Sequence, residues 1–219
     1  MLDDPERFDE DATVIFINDV ALCMEDILEL IHQKSFQKAD MTCAMDWIFG
    51  GDYFYDVWIA RSMMGDLFFN IPHDGSWDFA ADLFWNDKRT KQRYESGQPF
   101  QVFSCWNGAT VFTAKPLMQR QLSFRTNRQD ECYLGEPTHF CKDMWALGHG
   151  KIAVVPSVNV GYNDEESRSI KARHGTVQDW VGPRNTLASA SHINWRDVPP
   201  KQIKCVPTWT NASWVEWDQ

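Results

Sequence analysis

A run of β-favouring apolar residues, Val14-Ile15-Phe16-Ile17, ends in Asn18-Asp19 and is followed by a helical pattern and then a second strand. That order limits the fold more than any other feature. An unbroken apolar run is expected of a strand buried on both faces, and here it sets a carboxylate at the strand's carboxyl end. Residues 24–34 carry Ile27, Leu30, Ile31 and Lys34 at helical spacing. Glu25 and Asp26 stand in the first turn and His32, Lys34 and Lys38 towards the end, as the helix dipole prefers. Residues 39–45 read as the second strand, leading into Asp46-Trp47. Strand, helix, strand predicts an α/β layer.

Further along, residues 57–61 suit a strand or a short helix, and residues 64–93 read as a long loop with a helix near 78–85. Residues 100–112 predict two strand pieces joined across Trp106-Asn107-Gly108, where glycine lets backbone approach a ligand. Pro137 opens a helix with Phe140, Met144 and Leu147 on one face and Gly148 at its end, and residues 151–156 give another strand. Beyond Tyr162 the composition turns polar, with Pro183, Pro199, Pro200 and Pro207, which predicts an irregular tail over residues 163–219 wrapped on the same domain. At 219 residues the chain has the bulk for one sizeable core.

The formal charge is 21 − 31 = −10, and the basic residues gather nowhere beyond residues 88–93. This excludes nucleic acid as a partner, since that affinity rests on neutralised phosphates. No apolar stretch approaches the ~20 residues of a membrane-spanning helix, and the start, MLDDPERFDEDA, is acidic where a signal peptide is basic and then apolar. Eleven Trp against five Tyr is an unusual balance. Exposed indoles suit a sugar groove, although most are expected in the core or bracing loops. Six cysteines without a C-x-x-C pair leave no zinc-ribbon or thioredoxin reading, and their even number permits disulfides. Asn211-Ala212-Ser213 is an N-glycosylation triplet.

A strand of four apolar residues closed by Asn-Asp is one way to mount a divalent ion, with oxygen ligands on rigid backbone and the rest of the shell from a diphosphate. Asp19 would be the protein ligand and Asn18 a neutral partner. The plainer role of a strand-end Asp is a turn former or helix cap.

Several segments in order resemble one family. VIFINDVALCMEDILELIHQ, ADMTCAMDW, FYDVWIARSMMGDLFF, PFQVFSCWNGATVFTAKPL, ECYLGEPTHFCKDMW and GKIAVVPSVNVGY together run from Val14 to Tyr162 and are similar to the fungal capsule-associated α-1,3-mannosyltransferases. The C-terminal PPKQIKCVPTWTNASWVEW is also similar. The resemblance implies a GT-A-like α/β/α sandwich with a mixed sheet, GDP-mannose as donor, a mannose-containing glycan as acceptor, and Mn²⁺ or Mg²⁺. It implies a type II membrane protein of the Golgi or secretory pathway, facing the lumen. By position, Asn18-Asp19 corresponds to the metal motif, Trp106-Asn107-Gly108 to a segment against donor sugar and acceptor, and Asp130-Glu131 to an acidic pair on the acceptor side. Asp46-Trp47 would wall the same pocket, with Asp56 beside it and Arg61 as a cation for the diphosphate. One of His149, His174 and His192 would be a late metal ligand, with nothing in their spacing to choose among them. Retention of configuration would leave the protein to position groups and stabilise charge, with Glu131 or Asp130 orienting the acceptor hydroxyl.

Thirteen residues precede Val14, fewer than the ~30 a strand-helix-strand unit takes. The expectation is therefore a chain without the family's nucleotide-binding strands and without its N-terminal anchor, whose first strand presents an open edge. Against the transferase stands a reading from another class, a non-catalytic carbohydrate-binding or accessory protein of polysaccharide assembly. A metal-dependent hydrolase would need more His and Asp ligands at workable spacing than the sequence offers.

Overall fold

The computed structural model describes residues 9, 11–181 and 191–219. The rest of the acidic start, and Pro183 in the C-terminal region, lie outside the described residues. Strand β1 (Thr13–Ile17) leads through helix α1 (Met24–Phe36) to β2 (Met41–Ile48), so the predicted strand-helix-strand order is present. Short strands β3 (Tyr53–Phe54) and β4 (Arg61–Ser62) follow, then α2 (Lys88–Glu95), β5 (Phe100–Ser104), β6 (Ala109–Thr113) and α3 (Lys115–Met118). The chain continues with α4 (Glu136–Ala146), β7 (Ile152–Val160), α5 (Asp164–His174), α6 (Val177–Val181), β8 (Gln202–Thr208) and β9 (Asn211–Glu216).

The main sheet runs β1-β6-β2-β7-β5-β4, with β3 paired to β2. β2 and β7 are parallel, while β1–β6, β6–β2, β7–β5 and β5–β4 are antiparallel, so the sheet is mixed. β1 and β2 point the same way with β6 inserted between them. β7 is buried along its whole length and β2 nearly so, which explains their continuous apolar character. β1 corrects the expectation of a strand buried on both faces. It is an edge strand, and Ile15, Phe16 and Ile17 are each more than a third exposed, at 43%, 37% and 44%.

Alternation along β2 sorts the core. Met41, Cys43, Met45 and Trp47 face the larger cluster, where Phe140, Cys141 and Met144 of α4 pack, whereas Ala44 joins Leu30 of α1 and Val155, Val158 and Val160 in the smaller one. Helices thus cover both faces. Two disulfides tie the structure, Cys43–Cys105 inside the larger cluster and Cys132–Cys205 between the loop before α4 and β8, while Cys23 and Cys141 are free.

Two further expectations are corrected. Residues 63–87 hold no helix near 78–85, only turns, yet they bury Leu67, Phe68, Phe69, Leu83 and Phe84. Aromatic contacts such as Phe68–Phe84 and Phe84–Phe100 hold this segment, and such contacts leave no periodicity to read. The polar region after Tyr162 is not an irregular tail, since it forms α5, α6 and the β8–β9 hairpin. Asn163 caps α5 by accepting from the Glu166 N–H, and Ile203 and Val206 of β8 enter the larger cluster.

Candidate functional site

The carboxyl ends of β1, β2 and β7, three strands of one direction, come out on the same side of the sheet. In open α/β sheets that is where ligand crevices form. The chain leaving β1 crosses this mouth as a strap: the Asn18 N–H donates to the Gly108 carbonyl at 2.9 Å and the Ala21 N–H to the Gly161 carbonyl at 2.8 Å. Asn18 and Asp19 on the strap are exposed. Among the described residues the Asp19 carboxylate has no partner, so its oxygens are free for a ligand.

Below the strap lies a buried pair of carboxylates. Asp46, on the end of β2, is fully buried, and its Oδ2 accepts from the Tyr162 hydroxyl at 2.7 Å. Asp56 accepts at Oδ2 from the Asn107 N–H at 2.8 Å, and its own N–H lies 3.4 Å from Asp46 Oδ1. Burial pushes Asp46 well above the usual carboxylate range, and the neighbouring Asp56 charge raises it further. Burial also raises Asp56, to about 6, against the lowering effect of the Asn107 and Gly108 N–H groups. Tyr162 is raised by burial and then by Asp46, and so stays a phenol throughout the neutral range.

These shifts have a definite sign. The folded chain holds protons that the unfolded chain releases above pH ~4. The stability they contribute is complete at low pH and is lost as pH rises through about 6 and beyond. Asp56 alone removes roughly 1 kcal/mol between pH 5 and 8. Asp46→Asn keeps an oxygen for the Asp56 N–H and turns its Nδ2–H towards the Tyr162 oxygen, which then accepts, and it has no proton to lose in this range. Denaturant midpoints across that range should fall less steeply in this variant than in the parent, and parallel profiles would refute the protonated pair.

The other residues picked out by the sequence divide clearly. Trp106, Asn107 and Gly108 come to the site but are buried beneath it. Trp106 packs on Phe16, Phe124 and Phe140, and the Asn107 side-chain amide donates to the Ala44 carbonyl at 2.8 Å. They form its floor and do not offer side chains to a ligand. Gly108, at φ +75°, is required: a Cβ there would stand 2.7 Å from Val20 Cγ1 on the strap. Trp47 donates its indole N–H to Asn159 Oδ1 at 2.9 Å and stacks on His174 with ring centroids 3.8 Å apart. Of the three histidines considered as metal ligands, only His174 is seen in this neighbourhood, with Nε2 2.8 Å from the Gly51 carbonyl and its pKa lowered by burial.

Arg61 and Glu131 differ from expectation. Arg61 is fully buried, with Nε donating to the Lys204 carbonyl and Nη1 to the carbonyls of Val57, Trp58 and Ala60 while Nη2 has no partner among the described residues, so it is closed off from a diphosphate by burial. Glu131 pairs with Arg125 at 2.6 Å and with Lys142 at 2.6 Å and accepts the Arg128 N–H. Chiefly the Arg125 guanidinium holds it well below the usual carboxylate range, which leaves it an anchor for its loop and no proton acceptor. Asp130 beside it is exposed. Sequence reasoning missed Tyr162 and Tyr55. The signal for Tyr162 was its place just past a strand parallel to β2.

Among the described residues, no three His, Cys, Asp or Glu side chains gather into a ready-made metal cage. One free carboxylate on a strand end fits only an ion whose other oxygens come with a ligand.

The fold is that of a mixed α/β protein whose co-directional strands β1, β2 and β7 end together beneath a strap. A family model described as Cryptococcal mannosyltransferase 1 matches residues 1–143. The alpha-1,3-mannosyltransferase CMT1 of Cryptococcus neoformans var. neoformans serotype D is 35% identical over 226 aligned positions, covering 95% of this chain and 48% of that protein. The chain therefore belongs to the cryptococcal mannosyltransferase 1 family, and spans about half the length of that curated relative. No solved structure matches it.

Proposed function

We propose that the chain acts as a metal-dependent, retaining mannosyltransferase of GT-A-like build, moving mannose from GDP-mannose to a hydroxyl of a mannose-containing glycan. The observation that carries this reading is the meeting of a free, exposed Asp19 with the buried Asp46–Asp56–Tyr162 cluster at one mouth of the sheet, in a chain of this family. Asp19 would hold Mn²⁺ or Mg²⁺ together with the donor diphosphate. The ion, when bound, supplies charge neutralisation on the leaving diphosphate. Tyr162, fixed by Asp46, orients a sugar hydroxyl at the mouth, and the Asn107-Gly108 floor sets the depth at which it sits. The two disulfides and the exposed Asn211 triplet support work in an oxidising lumen of the secretory pathway.

Release or transfer of mannose from GDP-mannose should require the ion and fall about a hundredfold in Asp19→Ala, with an unchanged melting temperature. Turnover indifferent to both ion and mutation would overturn the assignment of Asp19. Binding of mannosides without any response to the donor would favour the carbohydrate-binding reading instead.

A further inference from the structure

Beside the carboxylate pair, the turn that carries Asp56 sends its two flanking aromatics outward. The Tyr55 N–H donates to the Asp46 carbonyl at 3.0 Å, and the Tyr55 ring meets that of Tyr162 edge to face at 4.9 Å, so Tyr55 joins the mouth directly. From there a groove of about 450 Å³ opens between Tyr55, Trp58, Trp77, Pro207 and Trp209. No Asp, Glu, Lys or Arg lines it, in a chain of net charge −10. Its far wall is packed ring on ring: Trp77 meets Phe69 edge to face at 5.2 Å and Trp209 at 6.0 Å. Gly75, at φ +76°, leaves the room that brings Trp209 close, since a Cβ there would lie 3.2 Å from Trp209 Cβ.

The indoles of this groove differ from those that brace the fold. Trp47, Trp145, Trp180 and Trp195 each donate their N–H to a carbonyl within the protein. Among the described residues the N–H groups of Trp58, Trp77 and Trp209 have no acceptor. Flat apolar faces with unspent donors at their rims match the ring faces and hydroxyls of an uncharged sugar. Trp58, half exposed at 50%, is also the ridge to a second recess of about 130 Å³, walled by Thr126, Asn127, Tyr133 and Leu134. That wall is held by the Cys132–Cys205 bond and the Arg125–Glu131 pair.

From these features we infer that the groove is the acceptor subsite. It takes two or more residues of a mannose-containing oligosaccharide, which straddle Trp58 and end at Tyr162. The inference rests on the transferase reading and adds to it the surface that selects the acceptor. Glu131 thereby becomes a positioning residue for the second recess.

The test titrates α-1,3-linked mannotriose, with cellotriose as control, into the whole chain, read by tryptophan fluorescence and by saturation-transfer NMR. The melting shift caused by GDP-mannose with Mn²⁺ is recorded on the same samples. Mannotriose should bind in preference to cellotriose and weaken about tenfold in Trp58→Ala and in Trp209→Ala. Trp58→Phe, which keeps a ring but loses the donor, should fall between. The two Trp58 variants should keep the parent's melting temperature, Trp209→Ala should melt lower because its ring packs on Trp77, and all three should keep the response to the donor. Equal mannotriose affinity in parent, Trp58→Ala and Trp209→Ala would overturn the inference, as would no binding by the parent, or displacement of the sugar by a proline-rich peptide. A donor response without mannotriose binding sinks the groove and leaves the transferase reading standing. Mannotriose binding that depends on Trp58 without any donor response upholds the groove as a mannoside site and sinks the transferase reading.

Discussion

Arg61→Ala is expected to lower the unfolding free energy by about 3–5 kcal/mol, the combined effect of buried carbonyls left without donors and of the cavity that a large buried side chain leaves. Arg61 Nε donates to the Lys204 carbonyl at 2.7 Å, and Nη1 donates to the Trp58 and Ala60 carbonyls at 2.7 and 2.9 Å. One side chain thus fastens the turn that carries Asp56 to strand β8. Burial lowers its pKa to about 10, with Asp66 acting the other way, so it keeps its charge at neutral pH. The alanine variant would leave these carbonyls without donors and open a void in the core. Arg61→Met fills the void but restores no donor, and should recover part of the loss. Urea unfolding of the three proteins measures this, and a difference below about 1 kcal/mol for alanine would refute the structural role.

Removing the bond between Cys43 and Cys105 by a double alanine substitution should be comparably severe. The bond closes a loop with a sequence separation of 62 residues, for which chain entropy in the unfolded state gives about 4 kcal/mol. Both cysteines are fully buried, and Cys105 immediately precedes the turn that floors the site. The same urea experiment applies, with mass spectrometry to show the bond present in the parent. An intact bond whose removal left the midpoint unchanged would mean that packing alone fixes this part of the core.

The elements readable in the sequence were those built by local pattern. α1, β2, the strands β5 and β6 on either side of Trp106-Asn107-Gly108, α4 and β7 fall where periodicity and terminators put them. Strand order was not readable, because β6 enters between β1 and β2 through pairing across the chain. The tail concealed a hairpin for a related reason: Ile203 and Val206 are apolar only in relation to a core assembled by earlier residues. At the site, residue types were legible and their exposure was not. Asp19 and Asp46 look alike in sequence, yet one is exposed on the strap and the other fully buried. Arg61 and Glu131 had chemistry suited to a diphosphate and an acceptor, and only the structure reveals the carbonyls and cations that already engage them.

The strap over Gly108 has a consequence for anyone who wishes to retune this protein. The Gly108 carbonyl holds Asn18, while the empty space at its α-carbon lets Val20 descend. A methyl group added at this position would act as a wedge, lifting Asp19 away from the mouth without touching a single reactive atom. Reshaping of this mouth would have to begin from its rim, at Tyr55, Trp58 or Tyr162, where side chains can be exchanged while the backbone beneath stays in place.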